Sequence, residues 1–206
     1  MTYKTEQEDF WAGEFGDEYI QRNQSAQLLA SNLALFASIL SSTTGIKHVL
    51  EIGANVGMNM RALSPLLPEG ELHAVEINEN AATELNNLGF LTSVFNGSVL
   101  DFNPAQTFDL VFTKGVLIHL APEMLPEVYD KMVSASSRYV MVAEYYNPTP
   151  MEINYRGHSN KMFKRDFAGE MMERHPELKL VDYGFVYRRD PNWRQDDTTW
   201  FLMEKA

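Results

Sequence analysis

The sequence predicts an α/β fold: a doubly wound, mostly parallel sheet of seven strands, with helices on both faces and a C-terminal antiparallel β-hairpin. Three observations predict it. Short apolar runs alternate with helix-period segments between residues 48 and 174, the pattern of a parallel sheet crossed by helices. Val49-Leu50-Glu51-Ile52-Gly53-Ala54-Asn55-Val56-Gly57-Met58-Asn59 reads as an apolar strand, a glycine turn and a helix start. The last two strand-like segments have no helix between them, so they pair antiparallel.

Phe10-Trp11-Ala12-Gly13-Glu14-Phe15-Gly16-Asp17 opens the chain with aromatic residues and glycine, and Asp17 is placed to cap the first long helix. Glu18 to Leu40 reads as that helix, or two in line, with Leu29, Leu33, Phe36 and Leu40 on the core face. His48 to Ile52 is the first strand, followed by a helix from Asn55 to Leu67. Leu72 to Glu76 is the second strand, and Asn78 caps a helix from Glu79 to Leu88 that Gly89 stops. Leu91 to Phe95 and Phe108 to Thr113 are the third and fourth strands. A helix from Pro122 to Ser136 leads to a fifth strand, Arg138 to Glu144. Tyr145 to Asn160 is a long loop, a length that is often functional. Lys161 to Arg174 is a helix, and Leu178 to Arg188 with Thr198 to Glu204 form the final pair. The 206 residues make one domain, with residues 1–40 as an N-terminal lid and helix and residues 45–206 as the core.

Bulk properties narrow the function. A formal net charge of −11 repels nucleic acid and anionic membrane. The absence of cysteine removes disulfides, thiol nucleophiles and cysteine-based zinc sites together. The acidic N-terminus has no apolar core of a signal peptide, and Leu28 to Leu40 is too short to span a bilayer. The expectation is a cytoplasmic protein, monomeric or homodimeric, that binds neither nucleic acid nor membrane. His48, His73, His158 and His175 make no metal site at a recognisable spacing, and no nucleophile elbow or phosphate loop is present.

Ligands of such sheets sit at the carboxyl ends of the strands, and the candidate residues fall there. A dinucleotide fingerprint would need glycine at 55 and 58, where the chain has Asn55 and Met58. What stands instead is acid-x-Gly-x-x-x-Gly, with Glu51 as the acid. Glu76 follows Gly57 by 19 residues, close to the spacing at which a carboxylate accepts from ribose hydroxyls. Its alternative is a solvated strand-end glutamate. Gly97, Ser98 and Val99 follow the third strand, and Thr113-Lys114-Gly115 follows the fourth. His119 is placed either as a general base or as a histidine bonded to backbone at the strand end. Phe10, Trp11 and Phe15, with Tyr19 and Arg22 on the next helix, form either a sheet-edge cover or a lid over a cofactor. Gly13 and Gly16 favour the mobile lid. Arg156, Lys161, Lys164 and Arg165 concentrate positive charge in an acidic chain, which suits an anionic acceptor or, alternatively, an ordinary basic helix face.

The glycine turn resembles the first motif of the class I S-adenosylmethionine (SAM) methyltransferases. The resemblance sharpens with Phe10-Trp11-Ala12-Gly13-Glu14-Phe15-Gly16-Asp17-Glu18-Tyr19, Thr113-Lys114-Gly115-Val116-Leu117-Ile118-His119, Glu144-Tyr145-Tyr146-Asn147-Pro148, Phe163-Lys164-Arg165-Asp166-Phe167-Ala168-Gly169-Glu170 and Gln195-Asp196-Asp197-Thr198-Thr199-Trp200-Phe201-Leu202. These segments are similar to those of the pseudaminic acid biosynthesis-associated methylases, nearly end to end. The resemblance implies the Rossmann-like methyltransferase fold and methyl transfer from SAM, leaving S-adenosylhomocysteine (SAH). It implies an oxygen or nitrogen acceptor on an anionic surface-glycan sugar, sugar nucleotide or related metabolite. In that reading Glu51, Gly53, Asn55, Gly57, Glu76, Ile77, Gly97, Ser98, Val99, Thr113, Lys114 and Gly115 surround the cofactor, under Phe15, Tyr19 and Arg22. His119, Tyr145 and Tyr146 face the acceptor, and Arg156, Lys161 and Arg165 hold its anion. The family usually carries an acid where Ser98 stands, to accept from the adenine amino group. In its place stand the Ser98 hydroxyl with nearby backbone groups, or Asp101, whose alternative role is a helix cap or turn residue. A SAM-binding protein without catalysis, and a methyltransferase for an unrelated metabolite, are the alternatives.

Overall fold

The computed structural model describes residues 3–20, 22 and 24–206. Positions 21 and 23 of the expected N-terminal helix lie outside the described residues. In chain order the elements are α1 (Glu6–Ala12), α2 (Glu14–Ile20), α3 (Ala26–Leu40), β1 (His48–Ile52), α4 (Met58–Leu66), β2 (Glu71–Glu76), α5 (Glu79–Asn86) and β3 (Ser93–Asn96). They continue as β4 (Phe108–Lys114), α6 (Leu125–Ala135), β5 (Ser136–Glu144), β6 (Met151–Glu152), β7 (Phe163–Lys164), α7 (Phe167–Arg174), β8 (Leu178–Val186) and β9 (Thr198–Lys205).

Seven strands form one sheet in the order β3-β2-β1-β4-β5-β9-β8. The first five are parallel, β5 and β8 flank β9 antiparallel, and the predicted architecture is met. β1 is the middle of the five parallel strands, where the strand order reverses between β2 and β4, so the crevice of the sheet opens above Gly53. Each face carries a core. On one, Phe36 and Ile39 of α3 meet Met60 and Leu63 of α4 and Leu110 and Phe112 of β4. On the other, Val128 and Met132 of α6 and Met171 of α7 cover Val111 and Val140.

The N-terminal expectation needs two corrections. Asp17 does not cap a helix; it lies inside α2 and accepts from Asn78 Nδ2 at 2.8 Å and Asn80 Nδ2 at 2.9 Å. Ser25 is the N-cap of α3, its hydroxyl accepting from the Leu28 N–H at 3.1 Å. Gly16 is not a hinge. A Cβ there would lie 1.9 Å from the Trp11 carbonyl oxygen and 2.9 Å from Asn78 Nδ2, so glycine lets α2 fold back onto α1. Gly16→Ala is expected to cost about 2 kcal/mol or more through forced separation of the two helices. Thermal unfolding with limited proteolysis of the N-terminal helices checks this, and an unchanged melting point and cleavage pattern would refute it.

The segment after β5 also differs from expectation. The long loop folds into the small antiparallel pair β6–β7, and the helix begins only at Phe167. Asp166 caps it, with Oδ1 accepting from the Gly169 N–H at 2.9 Å. Lys161, Lys164 and Arg165 therefore lie before the helix rather than along one helical face.

Candidate functional site

A cavity of about 530 Å³ opens above the carboxyl ends of β1, β2, β4 and β5, a size that suits a small organic ligand. Its floor is the turn after β1. Gly53 has φ +74°, and a Cβ there would sit 2.6 Å from a methyl of Val116. The bare glycine thus lets the segment after β4 close down on the turn. The Gly53 N–H reaches the Val75 carbonyl at 2.8 Å, and Asn55 follows in the left-handed region at φ 48°. Gly57 also has positive φ, but a Cβ there would meet Leu88 at 2.7 Å and Leu85 at 2.8 Å. Its bareness serves the packing of α5 rather than ligand approach, which corrects the sequence reading.

Glu76 ends β2 as a buried side chain, not a solvated one. Its two oxygens accept from the Asn55 N–H at 2.7 Å and the Asn78 N–H at 2.8 Å. Burial raises its pKa, and those backbone donors pull it back down. A carboxylate offers about four acceptor positions, so capacity toward the cavity remains. Glu51 lies behind the wall, fully buried, and reaches the cavity through Asn59, whose amide donates to it at 2.5 Å. Burial raises Glu51 to about 8, opposed by Asn59 and by the charge of Lys114. Lys114 lines the wall, its pKa lowered by loss of water while Glu51, Asp196 and Glu144 act against that.

His119 is buried, with Nδ1 2.7 Å from the Lys161 carbonyl oxygen. A carbonyl only accepts, so Nδ1 carries the proton and Nε2 keeps its lone pair. Burial lowers the His119 pKa to about 4, partly offset by that hydrogen bond. Its ring stands 4.6 Å from Trp11 and 4.9 Å from Tyr155, between centroids. Tyr145 donates to Asp196 at 2.9 Å. Burial, and then the charge of Asp196, push the Tyr145 phenol well above the usual range.

The segment from Val116 to His119 is held by Glu144, the last residue of β5. Its Oε1 accepts from the Thr113 hydroxyl at 3.1 Å and from the Val116 and Leu117 N–H groups at 3.0 and 3.1 Å. Burial raises Glu144 to about 7 against the pull of these donors.

Among the predicted site residues, Tyr19, Arg22, Gly53, Asn55, Glu76 and Ile77 line the cavity. So do Gly97, Ser98, Val99, Lys114, Gly115, His119, Tyr145 and Arg156. Thr113 and Glu51 stand behind the wall. Phe15 is placed otherwise: it stacks on Phe10 at 4.2 Å between centroids and lies outside the lining. Tyr146 is 42% exposed and packs near Phe201, away from the cavity, because its backbone bridges to Arg165. Lys161 is buried against Glu6 and Phe10, and Arg165 pairs with Glu170 at 2.7 Å. Neither reaches the cavity, which leaves Arg156, 5.6 Å over the Tyr155 ring, as the member of that basic group on its wall.

Several cavity residues escaped the sequence reading. Asn32 of α3 lines the cavity with Oδ1 buried and unpartnered among the described residues. Its signal was there: Ser31-Asn32 interrupts an apolar run, and both are buried. Gln195 has both amide atoms buried, and neither they nor Trp11 Nε1 have a partner among the described residues. Glu8 and Gln7 enter from α1, and no pattern in the polar N-terminus marks them. Away from the cavity, at the amino ends of β1 and β2, ligand atoms of His48, Glu71 and His73 lie within 4.8 Å of one another. The parallel register of His48 with Glu71 makes that grouping, which linear spacing does not show.

No protein-family model matches the chain, and no curated protein matches it. Solved structures do. A SAM-dependent methyltransferase from Leishmania major superposes with a TM-score of 0.72 at 14% identity, covering 98% of this chain and 87% of that one. The magnesium protoporphyrin IX methyltransferase of Synechocystis, solved with bound SAM, gives 0.69 at 12% identity over 100% of both chains. An amino pentose methyltransferase from Micromonospora echinaspora, also solved with SAM, gives 0.63 at 12% identity, covering 93% of this chain and 96% of that one. The fold is the Rossmann-like fold of these methyltransferases. Among the described residues no helix is long and apolar enough to cross a membrane.

Proposed function

We propose that this chain is a SAM-dependent methyltransferase that acts on a small anionic acceptor. The observation that carries the proposal is the cavity itself. The acid-x-Gly-x-x-x-Gly turn and Glu76 meet there with buried polar atoms of Asn32, Gln195 and Trp11 that have no protein partner among the described residues. Buried polar groups are normally paired, so these atoms fit a polar ligand. The residues suit SAM. Glu76 has acceptor capacity for two ribose hydroxyls. Gly53 presents bare backbone, and the Asn32 and Gln195 amides suit an amino-acid end. When bound, the cofactor supplies an already activated methyl group.

The chain then has three tasks. It orients the acceptor in line with the methyl group. It excludes water with Trp11, Tyr19 and Tyr155 on the cavity wall. It takes the acceptor's proton at His119 Nε2, the lone-pair nitrogen defined by the Lys161 contact. Arg156 at the wall favours a carboxylate or phosphate on the acceptor. With the resemblance of the lid and C-terminal segments, this supports a nonulosonic-acid-type sugar or its activated precursor as acceptor.

Titration calorimetry with SAH tests the cofactor. Glu76→Ala is expected to weaken SAH binding by about 10- to 100-fold, the size of lost hydrogen bonds to a charged acceptor. An unchanged affinity in a folded variant would remove Glu76 from the site. The acceptor is sought by incubating the protein with methyl-labelled SAM and extracts of its own cell, then identifying the labelled product by mass. Labelled macromolecules only, with no small product, would overturn the small-molecule reading.

A further inference from the structure

The residue expected to read the adenine base is not where the sequence placed it. Ser98 lines the cavity, but its proton and one of its two lone pairs are already committed, and it carries no charge. It accepts from the Leu100 N–H at 3.0 Å and donates to Glu8 Oε1. Asp101, the other candidate, is exposed and paired with Lys4 Nζ at 2.7 Å. The carboxylate that faces this end of the cavity is Glu8, carried on α1 and only 6% exposed.

Glu8 is built into this position from both sides. Its Oε2 accepts from the Lys4 N–H at 2.7 Å, while the Lys4 ammonium turns outward to Asp101. Its own N–H is capped by the Thr5 hydroxyl at 3.2 Å. Two neutral donors use about half of what a carboxylate accepts. A buried carboxylate so placed favours a further donor from the cavity. The lateral order of the strand ends says which donor. Glu76 at the end of β2 fixes the ribose. Lys114 and Gln195, on the β4–β5–β9 side, face the amino-acid end. The β3 side, where Glu8 meets Ser98 and Ile77 and Val99 also line the wall, is left for the flat base.

We propose that Glu8 of the lid helix is the base-reading residue of the cofactor site, accepting a hydrogen bond from the exocyclic amino group of a purine. The inference rests on the SAM reading of the cavity. It makes α1 part of the cofactor site rather than a cover. Trp11 follows Glu8 by three residues on the same helix, 4.6 Å from His119. One short helix therefore carries both the proposed base contact and the aromatic wall beside His119.

The test compares SAH with S-inosylhomocysteine, in which a carbonyl replaces the amino group, by calorimetry on the whole chain. Wild type is expected to prefer SAH by about 10- to 100-fold, the discrimination of a site built around one charged hydrogen bond. Glu8→Gln, whose amide also donates, is expected to narrow that preference to within about threefold. Ser98→Ala, which removes the hydroxyl that orients Glu8, is expected to shift the ratio the same way by less. Equal wild-type affinity for the two ligands overturns the proposal without any variant having to fold. An unchanged ratio in folded Glu8→Gln overturns it as well. Wild type that binds neither ligand refutes the SAM reading, and the assignment of Glu8 with it.

Discussion

Glu144→Ala is expected to destabilise the fold by about 4 kcal/mol, or roughly 8–16 °C in melting temperature for a chain of this size. Nothing about residue 144 in isolation suggests so large an effect. Its size comes from the donors that the carboxylate gathers: the Thr113 hydroxyl and the N–H groups of Val116, Leu117 and Ile118, the last at 3.4 Å. Alanine would strand these donors in a place where Leu117 and Ile118 are buried and water has little access. Glu144→Gln keeps an accepting oxygen at the same reach and should recover at least half of the loss. Differential scanning calorimetry on both variants decides it. An alanine variant within about 2 °C of wild type would show that the Val116–His119 segment is held by packing alone.

His119→Ala is expected to slow methyl transfer by about 10²- to 10⁴-fold, the usual contribution of a general base. SAH affinity should change much less, because the proposed role of Nε2 is toward the acceptor and not the cofactor. The pH dependence comes from the shift to about 4. The neutral ring is the active form, so activity should be flat from neutral pH down to about 5 and fall below about 4 as Nε2 protonates. A histidine at its ordinary value would place that limb near 6.5. The same shift has a stability consequence. Between about 6.5 and 4 the unfolded chain binds a proton that the native chain does not, so stability is complete above 6.5 and declines as pH falls toward 4. A single-turnover rate unaltered by the alanine substitution would make His119 structural.

The sheet and its central turn were legible in the sequence because their causes are local. Alternating apolar runs mark β1, β2, β4 and β5, and Gly53 marks a backbone conformation that side chains resist. Glu76 was legible through spacing, since a strand of fixed rise after a short helix delivers an acid to the same crevice. What failed did so for non-local reasons. Lys161 and Arg165 read as free cations because Glu6 is far from Lys161 in sequence, and because Arg165 reads as part of the helix that carries its partner Glu170, whereas that helix starts only at Phe167. The Asp166 cap before Phe167-Ala168-Gly169 was the readable signal for where that helix starts. Glu8 could not be placed from sequence at all, because its role depends on α1 folding across to Ser98. Gly16 was misread for a related reason. Glycine permits both motion and close contact, and only the position of Trp11 tells them apart.

The cavity draws its walls from Gln7 and Glu8 near one end of the chain and from Gln195 and Thr198 near the other. Ser31 of α3 even latches the far loop directly, its hydroxyl donating to the Arg194 carbonyl at 3.0 Å. As a nascent chain lengthens, the five parallel strands and their helices can collapse before this closure is possible, because loop-closing contacts between distant segments form late and slowly. The cavity is therefore among the last features to mature, and a partly folded or nicked chain with an intact central sheet would still lack it. Ligand-induced stabilisation then reports on the finished molecule alone: whatever binds here selects the fully closed chain from the population and protects it by mass action.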